Sequence, residues 1–383
     1  MSESTEPSLS PRDSHLFGAG PKRILAIDGG GVRGIVALAF LEKIESELSA
    51  RAGSAVRLCD HFDLIGGTST GAIIATGLAL GLTVAELRAY YLQLAPLVFK
   101  PPWVKLPGWR AVFDAQTLQR ELDRIIGART LDSADLKTGL GVVLKRVDRD
   151  SSWILLNNPR SKYWETPEHQ GFVGNRYFPL AKIVRASTAA PHYFDPQPIE
   201  IVEGAEPFVF VDGGLTPHNN PSLALFLAAF LPAHGLAWKV GPENLTIVSV
   251  GAGTFRESIT PHNLTHGPTL SLALHALSQQ ISENQRLTTM LMSLMGVCPT
   301  SWPVNEEIGD VAAVPPPLGP LFRFMRYDVK LEDEWLRDEL QVTADADTLR
   351  QAQRMDDASS MPFLFELGRR AAKLQVLDEH FTP

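Results

Sequence analysis

An α/β fold, with parallel strands joined through helices, is the class this sequence predicts, and two observations carry it. The first is a repeated unit in which a continuous apolar run ends in glycines and gives way to a stretch whose apolar and charged residues sort at helical spacing. The second is that runs such as "KRILAIDGGG", "PFVFVDGG" and "NLTIVSVGAG" end in glycine-rich loops. In open α/β sheets such loops gather at the carboxyl ends of the strands, where ligands bind.

"KRILAIDGGG" reads as the first strand and "VRGIVALAFLEKIESELSARAG" as the helix after it, terminated by Gly53. Phe62 to Leu80 repeats the unit, "FDLIGG" passing through "TSTG" into a helical run. "TVAELRAYYLQLAPLVF" adds a helix with Thr83 as cap and Glu86 in its first turn. "DAQTLQRELDRIIG" is a helix capped by Asp114, and "GLGVVLKRVD" and "SSWILLNN" are strands around a polar turn at Arg149 and Asp150. The strand "PFVFVDGG", the helical "NPSLALFLAAFL" and the strand "NLTIVSVGAG" follow. From about Pro261 long helical stretches take over, with "LFRFMRYDV" as a strand between them. No internal repeat and no Gly/Ser linker appears, and the Pro-rich "AAVPPPLGP" reads as a stiff loop. Residues 256–383 are therefore expected to form a helix-rich extension packed on the core of residues 21–255.

The 383 residues are 44% hydrophobic and 20% charged, an ordinary globular balance. A net charge of -8 excludes a general nucleic-acid binder, because phosphate contacts need clustered Lys and Arg. An acidic chain is not drawn to anionic membranes, so any membrane contact must be local. "PLVFKPPWVKLPGWRAVF", Pro96 to Phe113, has the composition for it: Trp103, Trp109, two phenylalanines and only basic charges, suited to an interface or to a proline-shaped loop filling the core. Cys59 and Cys298 form no CxxC motif and read as buried free thiols. No His/Asp/Glu ligand cluster is visible, so neither metal nor cofactor is expected. "MSESTEPSLSPRDSH" lacks the basic-then-apolar order of a signal peptide, and residues 1–20 are expected to be a disordered segment. No apolar run reaches the roughly 20 residues of a spanning helix. A cytoplasmic protein with peripheral membrane association is the expectation.

Two motifs carry chemistry. "DGGGVRG" satisfies the dinucleotide pattern G-x-G-x-x-G through Gly29, Gly31 and Gly34, but the next strand ends in "LIGGTSTG" without the acid that would hold a ribose. Its other physical use is an oxyanion hole, with backbone N–H groups of consecutive glycines turned toward one point at a helix N-terminus. "GTSTG", Gly67 to Gly71, matches the G-x-S-x-G elbow that presents a nucleophilic serine, here Ser69; the same position also suits a helix cap, with Thr68 and Thr70 beside it. A serine needs a base. His192 in "TAAPHYF", His218 in "GLTPHNNP" and Asp212 in "FVFVDGG" are the candidates.

"DGGGVRG", "GTSTG", "ASTAAPHYF" and "DGG", in this order from about Arg23 to about Val250, resemble the patatin-like phospholipase family. The resemblance implies a three-layer α/β/α patatin-like fold with a mainly parallel central sheet, plus the helix-rich C-terminal portion. It implies a Ser-Asp dyad, with Ser69 as nucleophile and Asp212 as base, oxyanion donors at Gly29, Gly30 and Gly31, and a supporting Arg33. Membrane phospholipid is then the substrate, met in transient contact with the membrane surface. Some bacterial members are switched on by cyclic nucleotides in antiphage defence, which makes a cyclic-nucleotide activator a candidate partner. Arg323, Arg326 and Tyr327 have the chemistry for a nucleotide phosphate and base, or for an ordinary amphipathic strand. The competing hypothesis is a nucleotide-binding or sensing protein that uses the glycine loops for phosphate and has no hydrolase activity.

Overall fold

Ile24, Leu25, Ala26 and Ile27 of strand β1 (Lys22–Ile27) are inaccessible to solvent, and a strand buried on both faces belongs at the centre of a helix-covered sheet. In the computed structural model, which describes residues 9–100, 112–168, 171–256, 269–317 and 319–381, β1 holds that position. It pairs in parallel with β2 (Leu64–Thr68) on one edge and β7 (Leu245–Val250) on the other. Parallel pairing continues outward from β2 to β3 (Gly139–Arg146), and from β7 to β9 (Phe322–Tyr327) and the short β8 (Gly296–Val297). β4 (Ser151–Leu156), β5 (Gln197–Ile199) and β6 (Phe208–Asp212) are antiparallel additions around β3.

Side chains alternate between two cores with the period of a strand. Leu25, Ile27, Ile65, Val248, Val250, Met325 and Tyr327 enter one; Ile24, Ala26, Leu64, Ile247, Phe322 and Phe324 enter the other. The first is covered by α2 (Gly34–Ala52), α4 (Thr70–Ala79), α5 (Val84–Val98), α6 (Ala115–Ile126), α7 (Leu180–Ser187) and a C-terminal helix, Met361–Gln375. α1 (Pro11–Phe17), α8 (Ser222–Phe230) and the C-terminal end of α9 (Thr269–Met295) cover the second. The result is three layers, with β8 and β9 drawn from beyond residue 255 into the same sheet.

Two expectations need correction. Residues 1–20 are not disordered throughout: Ser10 caps α1, Pro11 opens it, Leu16 is buried and the Trp238 indole donates to the Leu16 carbonyl at 2.9 Å. Polar composition outweighed these anchors in the sequence reading. Cys298 is half-buried, whereas Cys59 is buried; both are free. Most of the expected membrane-interface stretch, residues 101–111, lies outside the described residues. Among the described residues no helix is long and apolar enough to cross a membrane.

One feature of the sheet positions the site. β2 reaches β3 at the pair Thr68–Val143, and the antiparallel β6 reaches the next residue of the same strand at Asp212–Leu144. The carboxyl ends of β2 and β6 therefore meet head-on along one edge of β3.

Candidate active site

β2 ends at Thr68 and α4 begins at Thr70, so Ser69 alone makes the turn, at φ 54 and ψ -124. A non-glycine residue there costs on the order of 1–3 kcal/mol, held by the surrounding packing. The flanking glycines are required by contact: a Cβ on Gly67 would lie 2.1 Å from the Gly71 carbonyl oxygen, and one on Gly71 2.2 Å from that of Ile27. Ser69 occupies the N-cap position, yet its side chain makes no capping bond. Its Oγ donates to Asp212 Oδ2 at 2.6 Å. Thr68 and Thr70, expected as caps, donate instead to the His218 carbonyl at 2.6 Å and the Gly31 carbonyl at 3.1 Å. The Ser69 N–H is held by Ser187 Oγ at 2.9 Å, and that hydroxyl donates to the Val143 carbonyl at 2.6 Å.

Asp212 is buried at the end of β6, and its second oxygen, Oδ1, accepts from the Gly214 N–H at 2.7 Å. Burial pushes its pKa up to about 6, against the hydrogen bonds of Ser69 and Gly214 and the charge of Arg185. A carboxylate so placed is basic enough to take a hydroxyl proton and still ionised at neutral pH. The histidines stand elsewhere. His218 is driven toward the neutral form by burial, and its Nδ1 has no hydrogen-bond partner; His192 is exposed, at φ 75.

The glycine loop after β1 faces the serine: a Cβ on Gly29 would sit 3.1 Å from Ser69 Cβ. Gly29 does not match its expected place among the donors, because its N–H already binds the Asn219 carbonyl at 3.1 Å, while Asn219 Nδ2 donates back to the Gly29 carbonyl at 3.2 Å. Gly30 and Gly31 have no such acceptor for their N–H groups among the described residues, and both border the cavity. Gly31 adopts φ 58, and its carbonyl is tied down by Thr70 and by the Tyr91 hydroxyl. Arg33 braces the loop through the Gly253 carbonyl at 3.2 Å and lies over the Phe255 ring at 5.1 Å. A Cβ on Gly30 would meet Ala252 Cβ at 2.5 Å, so Gly30→Ala must displace the loop.

Asp28, just before the glycines, is fully buried. It accepts from both terminal nitrogens of Arg326, at 3.0 and 2.7 Å, and from Gln285 of α9 at 3.0 Å. Arg326 also donates to Ser249 at 2.8 Å and to Asp328 at 2.5 Å. Arg326 is thus committed to internal carboxylates, and the Tyr327 hydroxyl is buried against His380 Nδ1 at 2.8 Å. Sequence reading missed this anchor, together with the roles of Ser187, Asn219 and Arg185; the quoted "ASTAAPHYF" contained Ser187 without indicating what it binds.

These groups open into a cavity of about 1150 Å³. Its lining includes the apolar Ile73, Leu94, Val98, Phe99, Leu118 and Phe194 together with charged residues of both signs, among them Arg256 paired with Glu306 and Arg354 paired with Asp356. Among the described residues no group of three or more His, Cys, Asp or Glu is placed to hold a metal ion.

A family model described as Patatin-like phospholipase matches residues 25–226, more than half of the chain. The cGAMP-activated phospholipase of Escherichia coli (strain TW11681) is 28% identical over 248 residues, covering 63% of this chain and 65% of that protein. Patatin-17 of Solanum cardiophyllum is 28% identical over 257 residues, 61% of each chain. The calcium-independent phospholipase A2-gamma of Oryctolagus cuniculus is 30% identical over 285 residues, covering 71% of this chain and 33% of that one. This chain spans less than two thirds of the length of each of these relatives.

Proposed function

Because the chain belongs to the patatin-like phospholipase family, we propose that it is a serine lipid acyl hydrolase that cleaves carboxylic ester bonds of membrane phospholipids through a Ser69–Asp212 dyad. The 2.6 Å hydrogen bond between Ser69 Oγ and Asp212, in the wall of a cavity that apolar side chains also line, is the observation that carries this reading. Asp212 takes the Ser69 proton as Oγ attacks the ester carbonyl. The free N–H groups of Gly30 and Gly31 receive the oxyanion, and the N-terminus of α4 adds its positive end. Collapse expels the lysolipid alcohol, protonated by Asp212. Water then attacks the acyl carbonyl as Asp212 takes its proton, and collapse releases the fatty acid while Asp212 returns that proton to Ser69 Oγ.

Since Asp212 acts ionised and its pKa stands at about 6, activity is expected to rise with pH through an acid limb near 6 and to fall about tenfold per pH unit below it. A pH profile of kcat/KM checks this; a limb near 4 would count against Asp212 as the base. Unimpaired turnover by Asp212→Asn would point instead to a histidine.

The relative named for activation by cGAMP supports a second element, control of this hydrolase by a cyclic nucleotide. Hydrolysis of phospholipid vesicles by wild type and Ser69→Ala, with and without a cyclic-nucleotide panel, tests both elements. Turnover that appears only with one nucleotide and only in wild type is the gated form. Saturable nucleotide binding with no lipid turnover and no labelling by a fluorophosphonate probe, nucleotide present, would favour a sensor without hydrolase activity.

A further inference from the structure

The segment that ends α7 wraps the dyad. Ser187 holds the Ser69 N–H, and the Ala189 carbonyl accepts the Asp212 N–H at 3.0 Å. Two residues before Ser187, Arg185 is only 2% exposed. Its Nη2 donates to the Asp195 backbone carbonyl at 2.8 Å, its guanidinium carbon lies 5.4 Å from the centre of the Phe194 ring, and its buried Nη1 has no partner. No carboxylate forms an ion pair with it among the described residues. Burying an unpaired cation is costly, and the group is retained only where its field is used or its environment over-determines it.

The charges that this cation feels are Asp195, exposed on the following loop, and Asp212. The other groups against Asp212 are uncharged: Ser69 from the β2–α4 turn, Leu144 from β3, Ala189 after α7, and Gly214 from the next loop. His218, on the same loop, is held neutral by burial.

We propose that Arg185 is a positioning residue for the reaction: its guanidinium, fixed behind the Phe194 wall of the cavity and out of reach of substrate, supplies the positive field that keeps the Asp212 carboxylate ionised. This rests on the Ser69–Asp212 reading of the site. Burial lowers the Arg185 pKa to about 10, so the group stays charged throughout the working range. Removing the charge leaves Asp212 with desolvation and two hydrogen bonds alone, and its proton is lost at higher pH.

The test is the pH dependence, from pH 5 to 9, of both lipid ester turnover and the rate of Ser69 labelling by a fluorophosphonate probe. The proteins are the full-length wild type, Arg185→Gln, Arg185→Met and Arg185→Lys, assayed with whichever activator the wild type requires. Both neutral variants are expected to move the acid limb upward and to recover to within a few fold of wild type at pH 9. Lysine, which keeps the charge, is expected to leave the limb in place. A rate reduced equally at every pH, with the limb unmoved in either neutral variant, would overturn the assignment and leave Arg185 a packing residue. The labelling rate reports only folded protein, and replacing an unpaired buried cation with methionine relieves its desolvation, so one folded neutral variant suffices. Ser69→Ala and Asp212→Asn run alongside: if they keep turnover, the dyad reading itself has failed, whereas inactive controls with an unmoved limb reject Arg185 alone.

Discussion

Replacing Ser69 with alanine is expected to lower lipid ester turnover by at least ~10⁴-fold while the protein remains folded. The loss is large because in the proposed mechanism Oγ is the atom that forms the acyl-enzyme, and neither the glycine loop nor Asp212 can substitute for it. Stability should change little. A serine N-cap ordinarily contributes about 1 kcal/mol through its side chain, but Ser69 makes no capping bond, its hydroxyl being turned to Asp212. Alanine at φ 54 meets much the same backbone cost as serine. The hydrogen bond lost by Asp212 is offset by protonation of that buried carboxyl. Vesicle hydrolysis and thermal unfolding of the same preparation measure both effects, and full hydrolysis by Ser69→Ala would sink the mechanism.

Arg326→Met is expected to cost about 3–5 kcal/mol of folding stability, read as a shift in the urea midpoint. The substitution removes the donors that satisfy Asp28 and Asp328, both inaccessible to solvent, and leaves two buried carboxylates facing each other. The sign of its pH dependence follows. Burial already raises Asp28, with Arg326 pulling against it. Without that cation the Asp28 carboxyl titrates higher still in the folded state, so the stability linked to its proton is present at acid pH and lost as pH rises through its folded value. The variant should be least destabilised near pH 4 and most at pH 7 to 8. Activity should fall with it, because Asp28 is the last residue before the glycines proposed to receive the oxyanion. A loss below 1 kcal/mol at neutral pH would show that the network contributes little.

Two helix starts were readable because the cap lies within a turn of the groups it satisfies and a clear helical pattern follows. Thr83 and Glu86 form the reciprocal box opening α5, and Asp114 caps α6 through the N–H groups of Gln116 and Thr117. The elbow around Ser69 was readable too, since its small flanking residues follow from contacts within one strand–turn–helix unit and with the adjacent strand. Asp212 could be matched to Ser69 only by resemblance, His192 and His218 being equally open on the residues alone. Gly29 shows the limit from the other side: its place in the glycine run suits a donor loop, but its N–H is taken by Asn219, far along the chain.

By itself the sequence determined the longer strands, the glycine turns that follow several of them and the serine on its elbow, because alternation, capping and close backbone approach act over a few residues. Only the tertiary structure decided that β6 runs antiparallel and meets β2 end to end on β3, that Arg326 is spent on Asp28 and Asp328, and that Arg185 lies buried behind the dyad. Those outcomes depend on strand order and on charges sharing one low-dielectric interior, which local pattern does not encode.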